Sequence, residues 1–396
     1  MVKRIVQVCS TDFIIDGQSI WFVPMNLPYL IQYDLDTKDV KTKKELGISF
    51  DIYRGFFEHF VSIKNSIIGI PYWSKQSFIY DLNEETIDLI EMPDEIKNGD
   101  GSSGFYASLV KGNEIVSFTR HNNISDDRTS MAILMELSNR ECKSFKLENK
   151  YFIPKEASRV VIFRRQCLQS NNSMYLLYGL KNKIFKYELG NKKCEEISVG
   201  APDSLYFTIC AIDENNSEYI MADNRMQIVL WEEKKNKIHP IPIQVDGYNC
   251  VEEPYRDPSD EPFGFSIKYE NSVYFFPGLS NMVIEYNIKT GEVSKAFFSD
   301  SICEDNYERE YSLGYICGEF SEPHIYEGIL YIWNLWNNKM YMIDIKAKSV
   351  KCILVEIGFT ESEIRDEYDK WRKERAIVVE NEHPFFGLDG FINALT

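Results

Sequence analysis

The feature that most constrains the fold is a short pattern that occurs seven times along the chain. Each copy has an aromatic or large apolar residue, then an acid or asparagine, with valine, isoleucine or cysteine six residues beyond the acid. The acid positions are Asp34, Asp81, Glu136, Glu188, Glu232, Asn287 and Asp344, and the partners are Val40, Ile87, Cys142, Cys194, Ile238, Val293 and Val350. Successive acid positions lie 47, 55, 52, 44, 55 and 57 residues apart, close to the ~40 to 50 residues of a four-stranded propeller blade. The repeat therefore predicts an all-β fold, a seven-bladed β-propeller of four-stranded antiparallel blades.

The strands predicted within each interval support this architecture. The second strand of each copy is apolar at successive positions, as in residues 20–24, 174–178, 273–277 and 330–333. A strand covered by sheets on both faces needs such a pattern, and neighbouring blades cover the middle strands of a propeller blade.

The connections predict two unlike faces of the ring. Turns between first and second strands and between third and fourth strands are short, such as Asp16-Gly17 and Lys64-Asn65, and we call their side the hairpin face. Links from one outer strand to the next inner strand are long, as in residues 98–104, 154–165, 246–262 and 299–317. Their side, which also carries the turns between second and third strands, is the link face. Because loops on a rigid scaffold carry binding chemistry, we expect a site there.

Three third-strand segments resemble those of kelch-type propellers. They are Tyr33-Asp-Leu-Asp-Thr, Tyr80-Asp-Leu-Asn-Glu and Tyr286-Asn-Ile-Lys-Thr-Gly. The resemblance covers residues ~10 to 358 at the level of architecture and implies a propeller fold. The double glycine of kelch repeats is absent from every copy, so the resemblance implies no particular function.

The last residues have a helical pattern. Thr360-Glu-Ser-Glu363 forms a capping box, and Ile364, Tyr368 and Trp371 share one helical face. The sequence therefore predicts a propeller over residues 1–358 and a short helical extension over residues 359–396, packed on the propeller.

Charge and cysteine content narrow the partners and the compartment. The net charge of −17 repels phosphate backbones and anionic membranes, so neither nucleic acid nor a membrane is expected as a partner. The first ten residues lack the apolar stretch of about 7 to 15 residues found in secretion signals. Nine cysteines, an odd number without a C-x-x-C pair, favour a reducing, cytoplasmic location.

Candidate ligand-binding residues lie at strand ends and loops of the predicted link face. They are Arg54, Trp73, Arg120, His121, Arg164, Arg165, Arg225 and Trp336. The arginines suit a carboxylate or phosphate, and the tryptophans suit a sugar ring. Each also has a purely structural interpretation, as a solvated charge or as packing for a neighbouring loop.

The sequence predicts no cofactor and no metal site. The five histidines (His59, His121, His239, His324 and His383) show no ligand spacing, so a metal could bind only if they converged in space. The glycine-rich residues 99–104 lack the lysine of a phosphate-binding loop, and residues 252–262 lack the order of a calcium loop. The repeated acid adjoins a short turn, where it accepts backbone N–H bonds, and no catalytic role is assigned to it.

Two classes of function fit this pattern. The first is a non-catalytic binding scaffold that presents its link face to a glycan, a small anionic ligand or a protein partner. The alternative is a carbohydrate-active enzyme (a lyase, hydrolase or epimerase) with its site at the mouth of the central channel. Binding is favoured because no catalytic signature is present, but the sequence identifies neither the ligand nor the catalytic residues.

Overall fold

The computed structural model confirms seven four-stranded antiparallel blades arranged as a propeller. The structure describes residues 10–24, 27–48, 57–71, 74, 76–94, 105–119, 121–122, 129–150, 160–161, 163–170, 172–178, 182–188, 193–225, 227–250, 262–303, 320–335 and 338–359. Within each blade the strands follow one another in sequence order, from inner to outer.

The strands of the first four blades are as follows. Blade 1 contains Ile14–Asp16, Ser19–Phe22, Tyr29–Asp34 and Asp39–Glu45. Blade 2 contains Phe57–Ile63, Ser66–Pro71, Gln76–Asp81 and Thr86–Glu91. Blade 3 contains Phe105–Lys111, Glu114–Thr119, Thr129–Glu136 and Glu141–Lys150. Blade 4 contains Phe163–Ser170, Ser173–Tyr178, Lys183–Glu188 and Lys193–Ser198.

The remaining three blades complete the ring. Blade 5 contains Tyr206–Asp213, Glu218–Asp223, Gln227–Glu232 and Lys237–Pro242. Blade 6 contains Phe263–Tyr269, Ser272–Pro277, Ile284–Asn287 and Val293–Lys295. Blade 7 contains His324–Tyr326, Ile329–Trp333, Lys339–Asp344 and Ser349–Leu354. A small extra sheet pairs His121–Asn122 with Val160–Val161 between blades 3 and 4.

The register of the outer two strands explains the spacing of the repeat. In every blade, the large residue before the acid is buried and lies opposite the residue six positions beyond that acid. These cross-strand pairs are Tyr33–Val40, Tyr80–Ile87, Met135–Cys142, Tyr187–Cys194, Trp231–Ile238, Tyr286–Val293 and Ile343–Val350. The repeat is thus the sequence signature of one hairpin, made seven times.

Where the repeated residue is aspartate or asparagine, it closes that hairpin as the sequence predicts, whereas Glu232 contacts the side chains of Lys235 and His239. Asp34 Oδ1 accepts the backbone N–H of Thr37 at 2.8 Å, and Asp81 Oδ1 accepts that of Asn83 at 2.8 Å. Asn287, the one amide at this position, accepts the N–H of Lys289 at 3.0 Å. Because an amide oxygen does the same work as a carboxylate, the position is structural.

The second strands are buried almost throughout, which confirms that both of their faces are covered. Outer strands instead alternate between half-buried and exposed positions, as in Asp39–Glu45. Apolar clusters lie between neighbouring blades, and the cluster that joins blade 7 to blade 1 contains Phe13, Phe22, Tyr33 and Trp333. Side-chain packing therefore closes the ring at this join.

Within the described residues one short α-helix is found, α1 (Ser299–Cys303), in the link after blade 6. No described helix is long and apolar enough to cross a membrane. Most of the long links and residues 360–396 of the predicted extension lie outside the described residues. Phe359 packs on blade 1, where Lys43 Nζ lies 3.4 Å from the centre of its ring.

Candidate functional site

Four polar side chains from three blades meet where the inner strands begin, on the link face. Asp12 lies just before the inner strand of blade 1, and His59 lies near the start of that of blade 2. Glu322 precedes the inner strand of blade 7, which His324 begins. We call these four residues the Asp12 cluster.

The cluster occupies an equivalent position in successive repeats. Asp12, His59 and Glu322 each lie 22 residues before the repeated acid of their own blade. Equivalent residues of a pseudo-symmetric ring face its axis at the same depth, so blades 7, 1 and 2 bring these three together. This offset from the repeated acid is the signal that would have identified them from sequence, and a search for local histidine spacing misses it.

Asp12 is the centre of the cluster, and only 1% of it is exposed. Its Oδ1 accepts the backbone N–H of Phe13 at 2.8 Å and an imidazole N–H from His324 Nε2 at 2.7 Å. Its Oδ2 accepts the backbone N–H of Phe60 at 2.8 Å and lies 3.0 Å from His59 Nδ1. The carboxylate therefore ties blades 1, 2 and 7 together through three hydrogen bonds and one close ionic contact.

These contacts shift the pKa values of the three groups in opposite directions. Burial alone raises the pKa of Asp12, but the hydrogen bond and charge of His324 and the close ionic contact with His59 outweigh it and hold that pKa far below its usual range. Burial lowers the pKa of each imidazole, yet the Asp12 carboxylate more than compensates, so the pKa values of His59 and His324 are both raised. The ionised carboxylate thus favours the charged form of both imidazoles.

The side chains around Asp12 are more exposed to solvent than Asp12 itself. The exposed fraction of the side chain is 18% for His59, 30% for His324 and 38% for Glu322. Glu322 Oε2 lies 3.9 Å from His59 Nδ1. Asp12 is therefore the innermost group of the cluster, and Glu322 is its most exposed member.

The inner strand of blade 4 faces the cluster from across the ring. Burial, followed by the charge of Glu322, raises the pKa of the Cys167 thiol. The adjacent Gln166, also 22 residues before its repeated acid, reaches a blade that is not its neighbour. Its Oε1 accepts the backbone N–H of Ser266 in blade 6 at 2.8 Å. A polar side chain thus connects blades 4 and 6 directly across the interior of the ring.

The site residues predicted from sequence are for the most part not tested by the structure. Arg54, Trp73, Arg120 and Trp336 lie outside the described residues, as do the side chains of His121, Arg164 and Arg165. The backbone of His121 belongs to the small extra sheet.

The sequence places Arg164 and Arg165 in the link before blade 4, and this placement is wrong. Both lie within its inner strand, Phe163–Ser170. The pairing register shifts between Phe163 and Cys167, so a bulge extends the strand over residues that sequence assigned to the link.

Arg225 is the one predicted site residue whose side chain is described. It lies in the turn after the second strand of blade 5, and its Nη2 is 2.7 Å from Asp203 Oδ1. Asp203 precedes the inner strand of the same blade. The pair shows that links and second-to-third-strand turns adjoin on one face, and its arginine already has an acidic partner.

Comparisons with known proteins give a likeness of fold only. No protein-family model and no curated protein matches the sequence. Among solved structures, the computationally designed Ika8 protein matches with a TM-score of 0.51 and 10% identity, over 88% of each chain. BamB from Moraxella catarrhalis matches with a TM-score of 0.49 and 8% identity over 89% of each chain. Apo AztD from Citrobacter koseri has a TM-score of 0.47 and 11% identity, over 88% of this chain and 86% of that chain. At such identities no site residue can be transferred.

Proposed function

We propose that this chain is a non-catalytic binding scaffold that holds a small ligand at the Asp12 cluster. The observation that carries the proposal is the convergence of Asp12, His59, Glu322 and His324 from three blades at the start of the inner strands. A ligand site needs a few convergent polar groups that a ligand can reach, and in this cluster Glu322 is 38% exposed while Asp12 is buried.

A small ligand fits this geometry better than a protein partner. The polar groups are few and converge around Asp12, which is itself buried. Protein interfaces instead bury ~800 Å² on each partner, mostly on exposed patches.

The same convergence favours the second candidate, an enzyme with acid–base chemistry, because such chemistry needs titratable groups within hydrogen-bond reach. Binding is placed first because both oxygens of Asp12 already accept a backbone N–H. Its carboxylate is thereby held in a fixed orientation, with a lowered pKa, which suits a group that binds rather than one that accepts and returns a proton.

The experiment is a thermal-shift screen against sugars, sugar phosphates and small carboxylates, in the presence of EDTA and then with divalent metals. We expect at least one compound or ion to raise the melting temperature of the wild type, because binding to the native state adds to its stability. Glu322→Gln should lose that shift, and Glu327→Gln, an exposed position on the hairpin face of the same blade, should keep it. Equal shifts in all three proteins would exclude the Asp12 cluster as the site. Turnover of a bound sugar would favour the enzyme instead.

A further inference from the structure

We propose that Asp12, His59 and Glu322 bind a divalent transition-metal ion, with Zn²⁺ as the best match. The inference rests on the proposed function and names the ligand class of the same cluster. One carboxylate oxygen of Asp12, one of Glu322 and a ring nitrogen of His59 all lie within 4.8 Å of one another.

The separations between the donor atoms suit a metal ion. Donors bound to tetrahedral zinc at ~2.0–2.2 Å lie roughly 3.3–3.5 Å apart. His59 Nδ1 is 3.0 Å from Asp12 Oδ2 and 3.9 Å from Glu322 Oε2, values on either side of that separation. The Asp12 and Glu322 oxygens lie within 4.8 Å of each other, and movement of the Glu322 side chain toward Asp12 would bring the three atoms to coordinating distance.

The donors are also held as metal ligands usually are. Ligating carboxylates are oriented by a surrounding set of hydrogen bonds, and Asp12 receives three, from Phe13, Phe60 and His324. A carboxylate has about four acceptor positions, and the remaining one lies on Oδ2 beside His59 Nδ1. That nitrogen is buried and makes no well-directed hydrogen bond, although it contacts both carboxylates.

The donor set indicates which ions bind. An imidazole with two carboxylates suits Zn²⁺ and its first-row neighbours, whereas Mg²⁺ and Ca²⁺ prefer oxygen ligands alone. Three protein ligands leave a further coordination position. Glu322 is the most exposed of the three ligands. A further ligand would therefore reach the metal from the link face.

The test is calorimetric titration of the full chain, first stripped with EDTA and dialysed, with Zn²⁺ alone as the probe. We expect one ion per chain, with Mg²⁺ and Ca²⁺ giving no comparable heat. Glu322→Gln, which changes a side chain that is 38% exposed, should weaken Zn²⁺ affinity at least about tenfold, because loss of even an outer-shell partner typically costs 10- to 100-fold. His59→Gln should weaken it further. Glu327→Gln and His239→Gln, on the hairpin face of blade 7 and the outer strand of blade 5, are the matched controls and should bind as the wild type does.

Absence of Zn²⁺ binding to the wild type would overturn the inference, as would affinity unchanged in a folded Glu322→Gln protein. The two proposals fail separately. If Zn²⁺ does not bind but an organic ligand still gives a Glu322-dependent thermal shift in EDTA, the metal site is wrong and the proposed function stands. If neither the ion nor any ligand responds to Glu322→Gln, both are wrong.

Discussion

His324 of the last blade lies 2.7 Å from Asp12 at the entrance to the first blade, 312 residues earlier in the chain. A second bond joins the same segments, because the backbone N–H of Glu322 donates to the carbonyl of Thr11 at 3.1 Å. The join between the first and last blades is therefore polar at the axis and apolar farther out, where Phe13, Phe22 and Trp333 pack together.

Removal of the Asp12 carboxylate should destabilise the whole ring. Asp12→Ala leaves the N–H groups of Phe13 and Phe60 without an acceptor and two imidazoles without their counter-charge. Loss of one partner from a buried charged network costs about 3–5 kcal/mol. Urea denaturation in EDTA measures the change, and Asp12→Asn, which keeps an acceptor oxygen, should lose less. Asp16→Ala, an exposed position in the adjacent hairpin, is the control. An Asp12→Ala protein as stable as the control would contradict this account of the join.

The hydrogen bonds between Gln166 of blade 4 and Ser266 of blade 6 predict that replacing Gln166 lowers the stability of the protein. Its Oε1 accepts both the backbone N–H of Ser266 at 2.8 Å and its hydroxyl at 3.0 Å, and both residues are buried. Gln166→Ala leaves these donors unsatisfied, so we expect a loss of about 1–3 kcal/mol in the free energy of unfolding. The exposed Gln18→Ala should change it by less than about 0.5 kcal/mol. Equal effects of the two substitutions would show that these hydrogen bonds contribute nothing to stability.

Packing between strands of blade 2 makes Gly69 sensitive to a single methyl group. A Cβ at this position would lie 2.9 Å from Phe57 Cδ1 and closer still to the ring of Phe78. Both rings are buried, so Gly69→Ala should destabilise the protein by about 1–3 kcal/mol. Gly264→Ala in the inner strand of blade 6 is the matched control, because a Cβ there meets nothing within 4 Å. Thermal unfolding distinguishes the two, and comparable melting temperatures would refute the steric argument.

The repeated acid predicts a specific dependence on pH. Backbone hydrogen bonds from Glu84 and Asn83 lower the pKa of Asp81 in the folded protein. A lowered folded pKa means that ionised Asp81 favours folding. Its contribution is present above the usual aspartate pKa of about 4 and is lost as the pH falls through the folded value.

Asp81→Asn isolates that contribution, since Asn287 makes the same turn bonds in blade 6. We expect the variant to melt below the wild type at pH 7, and the difference to shrink as the pH falls below the usual aspartate pKa and Asp81 becomes protonated in the folded protein. Asp81→Ala, which lacks the acceptor, should melt lower than both proteins at pH 7. A difference between wild type and Asp81→Asn that persists unchanged in acid would count against this origin of the shift.

The fold could be predicted from sequence because its evidence is local. Pairs such as Tyr33–Val40 and Trp231–Ile238 lie on the two arms of one short hairpin, so a fixed spacing of side-chain types records them. Seven copies of that spacing are enough to count the blades.

The Asp12 cluster could not be found in the same way. His59 and Glu322 are 263 positions apart in the sequence, and only closure of the ring brings them together. Arg164 and Arg165 lie in a strand because of a bulge, and that bulge likewise depends on backbone pairing. Residue types do not specify it, since bulges depend on how the partner strand aligns.

The pairing of the first and last blades has a consequence for biosynthesis. At roughly 5–20 residues per second, about 15 to 60 s separate translation of Asp12 from that of His324. Throughout that interval the flank of blade 1 that carries Phe13, Phe22 and Tyr33 has no covering blade, because Trp333 and Met340 have yet to be made. The nascent chain therefore leaves the ribosome with an exposed, aggregation-prone apolar face on blade 1, which blade 7 covers once it has been made. A chain truncated before blade 7 should need chaperones to stay dispersed, even with six blades fully translated.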